Sequence, residues 1–296
     1  MLQATSFSTL FKSRLLRGIE YAENPFELDV VAGGNEKVYG LSVPMPRQRA
    51  ETFDEFRSEQ RDLYLSCGDS SLTDIGNGCV DAVITDPPFF DNVNYSQLAD
   101  FFYVWQRHIL GDVGHHAGVT TRADREVQNG DSGQFTERLA AVWSEAHRVL
   151  KAEGLLIFSY HHSRPEGWWS VLDALMRAGF TITASQPLKG EMSVATPKHQ
   201  AKEPIDLDII LVCRKREYAA VLAEGGLSEA ASRAAAQIAR FRGVGRKLSR
   251  NDVRVILMGQ VLRVLSAWPS IQAAEEALTM IGGKLEGQID ELQEIT

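Results

Sequence analysis

Asp81-Ala82-Val83-Ile84-Thr85-Asp86-Pro87-Pro88-Phe89-Phe90 reads as a buried strand that ends abruptly at an acidic, proline, proline, aromatic turn. Ala82, Val83 and Ile84 make the short apolar run of a parallel strand buried on both faces, and the proline pair cannot extend a ladder. The strand therefore ends at Thr85 or Asp86, at the sheet edge where open α/β folds bind their ligands. Pro88 pushes Pro87 toward an extended conformation, and neither residue has an N–H to close a local turn. The Asp86 carboxylate and the Pro87 carbonyl are thus expected to face outward as acceptors.

Two fixed acceptors suit a donor with two hydrogens. The exocyclic amino group of adenine or cytosine is such a donor, and its nitrogen is a poor nucleophile because the lone pair is delocalised into the ring. Acceptors on both N–H bonds favour a pyramidal nitrogen and stabilise the positive charge that develops as it attacks a methyl donor. Phe89 offers a flat apolar face on which an extruded base stacks. Asp86-Pro87-Pro88-Phe89 resembles the signature of S-adenosylmethionine-dependent amino-methyltransferases.

The run from Asp86 to Trp105, DPPFFDNVNYSQLADFFYVW, narrows the likeness. It resembles the region after the proline pair in the large adenine-specific DNA methylases that carry a DUF1156 domain. A weaker similarity runs from about Gly18 to Arg214. The chain departs in having Phe89 where tyrosine is commoner, which keeps stacking and loses a hydroxyl. The resemblance implies Asp86, Pro87, Pro88 and Phe89 as the catalytic group, substrate contacts from Phe90, Asn92 and Tyr95, S-adenosylmethionine as cofactor and DNA as partner. Asp69 ends the preceding strand candidate, and in the family a carboxylate near such a position approaches the cofactor's adenosine; a turn or helix cap is the alternative. Cytosine in DNA, RNA, or a protein glutamine side chain presents a similar NH2 to the same acceptors. A non-catalytic DNA-binding or scaffolding subunit is a third reading.

A chain of 296 residues can bury one large domain or a domain plus an appendage, and at 44% hydrophobic and 24% charged its composition is that of an ordinary soluble protein. A formal charge of −8 argues against nonspecific coating of nucleic acid, but leaves room for a local basic face. Cys67, Cys79 and Cys213 are widely separated, which suggests neither a zinc ribbon nor a disulfide framework. A reducing cytoplasm is the expected location, with no membrane span and no signal peptide.

Outward from the signature, the chain divides into three expected parts. Residues 1–60 give a helix over 1–20, from Leu10, Phe11, Leu15, Leu16 and Ile19, and then an irregular wrapping segment carrying Pro25, Pro44, Pro46 and Gly33-Gly34. Residues 61–217 give the methyltransferase core. Its strands are expected at Leu63 to Cys67, Ala82 to Thr85, Leu155 to Tyr160, Phe180 to Ala184 and Leu207 to Cys213, and its helices at Ser96 to Leu110, Phe135 to Leu150 and Trp168 to Ala178. The aromatics of Ser96 to Leu110 read as core. The alternation predicts a Rossmann-like α/β sheet, mostly parallel with an antiparallel terminal hairpin and helices on both faces. Residues 218–296 give a helical extension in which Arg240, Arg242, Arg246, Lys247, Arg250 and Arg254 concentrate positive charge for a DNA backbone contact.

Three loops flank the predicted site. Asp112 to Gly133 is a candidate base-recognition loop, in which His115 and His116 read as solvated. His161 and His162, at a strand end, read as capping or solvated. Lys189 to Pro204 carries Lys198, a candidate phosphate contact, with Lys189, His199 and Lys202.

A class I methyltransferase also needs a first strand, a glycine-rich turn into a helix, and a second strand with an acidic end. Val30 to Asn35 is followed by Lys37-Val38-Tyr39-Gly40 and prolines, a poor match to that pattern. The sequence contains the second half of the fold and no convincing first half. A partner subunit, or a missing amino-terminal half, is expected to supply the cofactor motif.

Overall fold

A helical run begins at Phe7 in the computed structural model, which describes residues 7–31, 34–40, 48–59, 61–90, 93–111, 118–190, 205–218 and 226–294. The chain separates into two units, Met1–Ser66 and Cys67–Thr296.

In the first unit, α1 (Phe7–Leu10) and α2 (Arg17–Glu23) are joined by a wider π-helical turn over Phe11–Leu16. Its apolar positions, Leu10, Phe11, Leu15, Leu16 and Ile19, are exposed. β1 (Phe26–Val31) and β2 (Gly34–Tyr39) pair antiparallel. A strand that turns back into a strand has no helix N-terminus with which to cradle a phosphate or carboxylate; Gly34 opens β2, and Gly33 lies outside the described residues. Regular structure continues through β3 (Arg49–Ala50), α3 (Phe53–Ser58) and β4 (Leu63–Tyr64), a parallel pair bridged by a helix. The Thr52 hydroxyl caps α3 by accepting from the Glu55 N–H at 3.1 Å. Phe53 packs against Phe56 and Tyr64. Among the described residues, the segment expected to be irregular is therefore largely regular, because alternating and capping residues suffice for short elements; Pro44 and Pro46 lie outside them. The strand expected to reach Cys67 stops at Tyr64.

The second unit runs β5 (Val80–Thr85), α4 (Tyr95–Leu110), α5 (Ser132–Val149), β6 (Leu150–Tyr160), α6 (Pro165–Arg177), β7 (Phe180–Lys189), β8 (Leu207–Lys215), α7 (Leu227–Gly243), α8 (Arg250–Leu265) and α9 (Ile271–Gln293). The Asp131 carboxylate caps α5, Pro165 opens α6, and Gly179 closes α6 with φ +79°, a left-handed turn that suits glycine. The four-stranded sheet has the order β5-β6-β8-β7. β5 is parallel to β6, while β8 is antiparallel to both β6 and β7, so three strands run one way and β8 runs against them. The unit is mixed α/β.

Register shows which side of this sheet is covered. Phe158 faces Leu211 and Tyr160 faces Ile209 across the β6–β8 pair, all four fully buried. Trp143 of α5 packs on Phe158, Trp168 of α6 packs on Tyr160, and Gly259 of α8 lies against Ile209. A methyl group on Gly259 would sit 2.2 Å from Ile209 Cδ1 and 2.5 Å from Ser185 Oγ, so only glycine permits this approach. All three helices thus cover one face. The other face carries Ala82, Ile84, Ile157, Ser159, Ile210 and Val212, each partly or largely exposed. Helices were expected on both faces, and among the described residues they occupy one.

Two further expectations change. Leu98, Phe101, Phe102, Trp105 and Ile109 of α4 are exposed rather than core, and Tyr103 is the one residue of this helix that is buried. The helical extension is also no appendage, because α8 is buried around most of its circumference and packs on β7 and β8 within the same unit as the sheet. A capping box of Ser249 and Asp252 starts α8, and the same Asp252 carboxylate accepts from the N–H groups of Asp206 (2.8 Å) and Leu207 (3.0 Å), fastening the start of β8.

Candidate active site

Asp86 follows β5 directly and is exposed, Pro87 is buried, and Pro88 and Phe89 are half-buried. The Ser159 hydroxyl donates to Asp86 Oδ1 at 2.5 Å, holding the carboxylate to the end of β6. Asp86 Oδ2 has no hydrogen-bond partner among the described residues, so it keeps acceptor capacity facing outward. Ser159 gave no signal in the sequence, since it becomes a partner only when β6 lies beside β5.

The two phenylalanines take opposite roles. Phe89 meets Tyr160 edge-on at 5.4 Å between ring centroids and His161 at 4.7 Å, and it retains exposed surface. Phe90 adopts φ +52°, a strained region for an aromatic residue, and is buried against Phe135 and His162, with the Arg164 guanidinium 5.5 Å from its ring centre. Burial puts Phe90 out of reach of a base and corrects its assignment to substrate binding: it anchors the turn that presents Asp86 and Phe89. Tyr95 opens α4 and is exposed. Asn92 and Lys198 lie outside the described residues, as do His115, His116, His199 and Lys202.

His161 is neither solvated nor a cap. Its Nδ1 pairs with the Asp208 carboxylate of β8, which fixes the ring against Phe89. His162 is buried; its Nδ1 accepts from the Arg164 N–H at 3.0 Å, and its ring packs so closely on α6 that a methyl group on Gly167 would come within 2.6 Å.

Asp69 lies elsewhere. Its Oδ1 accepts from the Ser71 N–H (2.9 Å) and hydroxyl (2.6 Å), and its Oδ2 pairs with Arg125 at 3.2 Å. The Ser71 bonds, with Arg125 a smaller contribution, hold its carboxyl below the usual range. Asp69 lines a cavity of about 410 Å³ with Arg125 and Arg138, and none of Asp86 to Phe90 belongs to its walls. The geometry is that of a turn cap.

The 118–131 segment is tied to its neighbours. The Tyr103 hydroxyl donates to the Gly118 carbonyl at 2.7 Å, and Asp100 accepts from Thr120 and Thr121. These bonds, with Arg122 nearby, hold the Asp100 carboxyl down at about 2. In the basic cluster, Arg250 pairs with Glu286 and Asp290, Arg254 pairs with Glu286, and Arg242 donates to the Gln293 carbonyl. α9 therefore neutralises much of the charge that suggested a DNA contact, leaving Arg240 and Lys247 exposed. Among the described residues, no cluster of His, Cys, Asp and Glu is placed to hold a metal ion, and no helix is long and apolar enough to cross a membrane. Comparison with protein-family models, with curated proteins and with solved structures finds no match.

Proposed function

We propose that this chain is the base-binding part of an S-adenosylmethionine-dependent methyltransferase acting on the exocyclic amine of adenine in DNA. One observation carries the reading: at the carboxyl end of β5, Asp86 keeps one carboxylate oxygen outward while Ser159 holds the other, beside the half-exposed Phe89. Supporting it, the order β5-β6-β8-β7 with β8 reversed matches the second half of a Rossmann-like class I methyltransferase sheet.

The chain's own residues perform the substrate side of the chemistry. Asp86 Oδ2 accepts an amine hydrogen and Phe89 stacks on the base, whereas Pro87, expected as the second acceptor, is buried like Phe90 and shapes the turn instead. His161, held by Asp208, keeps the Phe89 ring in its plane. As the amine nitrogen becomes positive, the fixed carboxylate stabilises it. The described residues do not build a site for the methyl donor: residues 26–39 form a hairpin, and both oxygens of Asp69 are engaged.

The test is digestion of DNA from cells that naturally carry the chain, followed by mass spectrometry of its nucleosides. Methylated adenine that disappears in an Asp86→Ala strain is the expected result. Unchanged adenine methylation there overturns the reading, and loss of methylated cytosine, methylated RNA or methylglutamine instead moves the activity to that substrate.

A further inference from the structure

The first unit holds a cavity of about 680 Å³ between α2 and one face of the β1–β2 hairpin. That volume is within the ~300–1,000 Å³ of small-ligand sites. Register builds its walls. Phe26 and Tyr39 are direct partners across the hairpin, and Lys37, two residues before Tyr39, lies on the same face. Tyr21 reaches them from α2. Phe26 is the middle ring, with the Tyr21 centroid 5.2 Å away at 85° and the Tyr39 centroid 5.5 Å away at 57°. Rings set so steeply make the sides of a box rather than a stack, and all three line the same space. Tyr21 and Tyr39 are 40% and 51% exposed, so the box opens to solvent.

A cation already sits in the box. Lys37 Nζ is 4.0 Å from the Phe26 ring centre, inside the ~6 Å limit of a cation–π contact. Glu20 and Glu23 also line the cavity, and neither they nor Lys37 form an ion pair among the described residues. Glu23 is the last residue of α2, whose final turn carries no basic side chain although the helix dipole favours positive charge there. Arg17 and Lys37 offset the two carboxylates in number, so overall charge does not select a ligand; the rings do. A primary ammonium such as that of Lys37 leaves N–H donors unmet against aromatic faces, and it returns to water at little cost. A trimethylammonium group has no N–H to satisfy, and its charged methyl shell buries against all three rings.

We infer that Tyr21, Phe26 and Tyr39 form a binding site for a trimethylammonium group, with Lys37 as its displaceable internal occupant and Glu20 and Glu23 as counter-charges. Trimethylated lysine on a protein and a free choline-like compound share this chemistry. Single-stranded nucleic acid, which stacks on exposed aromatic rings, is the weaker occupant because Glu20 and Glu23 repel its phosphates. The inference stands independently of methyl transfer at Asp86, since every residue of this cavity belongs to the first unit.

The test titrates the full chain with tetramethylammonium, choline and a trimethyl-lysine peptide, read by ligand-observed NMR. Binding at about millimolar strength or tighter is expected. The same peptide with a neutral tert-butyl group in place of trimethylammonium should bind at least about tenfold more weakly. Preference for the peptide over both free cations assigns the site to a modified protein, and equal or stronger binding of choline assigns it to a small molecule. Lys37→Gln should tighten binding about threefold or more, because it removes the internal competitor. Replacing Phe26 by an aliphatic residue risks the hairpin, so the ring is tested with its shape kept. Mono-, tri- and pentafluorophenylalanine at position 26 should weaken binding stepwise, by about tenfold over the series, as the ring face loses its negative potential. Failure of all three ligands to bind, equal binding of the neutral peptide, affinity indifferent to fluorination, or weaker binding in Lys37→Gln overturns the proposal. So does a single-stranded oligonucleotide that binds more tightly than the cations and responds to the same substitutions.

Discussion

Asp86 is held at one oxygen and open at the other, so its replacement separates chemistry from folding. Asp86→Asn keeps the shape and the Ser159 contact but removes the charge opposite the developing cation. On the proposed function, methyl transfer should fall by about 100-fold or more, while stability moves by less than about 0.5 kcal/mol because the position is exposed. Single-turnover methyl transfer and urea denaturation measure the two. Ser159 acts through Asp86 and is a positioning residue. Ser159→Ala should lower kcat about tenfold with little change in KM for DNA, since base contacts are untouched, and Ser159→Thr should restore most of the loss. An equal rise in KM would assign Ser159 a binding role instead. Phe90 anchors the turn from inside. Phe90→Ala should destabilise the protein by about 3 kcal/mol, the cost of emptying an aromatic site in a core, with no relief of the φ +52° strain because alanine keeps the Cβ.

At the scale of the elements, α8 and β8 are joined by one carboxylate. Asp252 closes the capping box with Ser249 and also satisfies the N–H groups of Asp206 and Leu207, while itself 2% exposed. Asp252→Ala removes the cap and leaves buried donors unpaired, which together should cost about 3 kcal/mol. Thermal unfolding followed by circular dichroism measures it, and a loss below about 1 kcal/mol would mean that other groups replace the carboxylate. α4 poses the contrary case. Its spacing is that of an amphipathic helix, and the structure forms the helix, yet its apolar stripe is exposed. Periodicity reports that a face needs covering; it carries no information about which polypeptide covers it.

Across the whole second unit, an ion pair between buried Glu145 and partly exposed Arg148 ties the approach to β5 onto α5. Glu145 accepts from Arg148 and from the Thr73 N–H and hydroxyl, and Arg148 reaches on to the Ile75 carbonyl and to Asn77. Arg148 foremost, and Thr73 with it, lower the Glu145 carboxyl from 4.5 to about 2 against the opposing effect of burial. Because the folded value lies below the unfolded one, the stabilisation is complete above about pH 4.5 and drains away as pH falls toward 2. Glu145→Gln should therefore cost about 2 kcal/mol at pH 7, with part of the full linkage lost to solvent around Arg148, and progressively less at pH 3. Urea midpoints at the two pH values check this, and an equal loss at both would assign the effect to packing.

Much of the second unit was legible before any coordinates. Strands β5 to β8 and helices α4 to α6 lie within a few residues of where alternation, glycines and prolines place them, apart from extra length at strand ends that pairing supplies. Those signals are local, since they depend on a residue's own backbone preferences and on neighbours one to four positions away. The hairpin over 26–39 escaped because its strands expose most of their side chains, which leaves little hydrophobic pattern to read. The sequence by itself determined the elements and the proline turn at Asp86, because a proline pair ends a strand in any context. Only the tertiary structure decided that Phe90 turns inward while Phe89 stays half-exposed, that Ser159 and not a neighbour in sequence holds Asp86, that α9 neutralises Arg250 and Arg254, and that the described helices cover one face of the sheet. Each of these depends on residues tens of positions apart coming within a few ångströms, a distance set by strand order and packing and recorded in no local pattern.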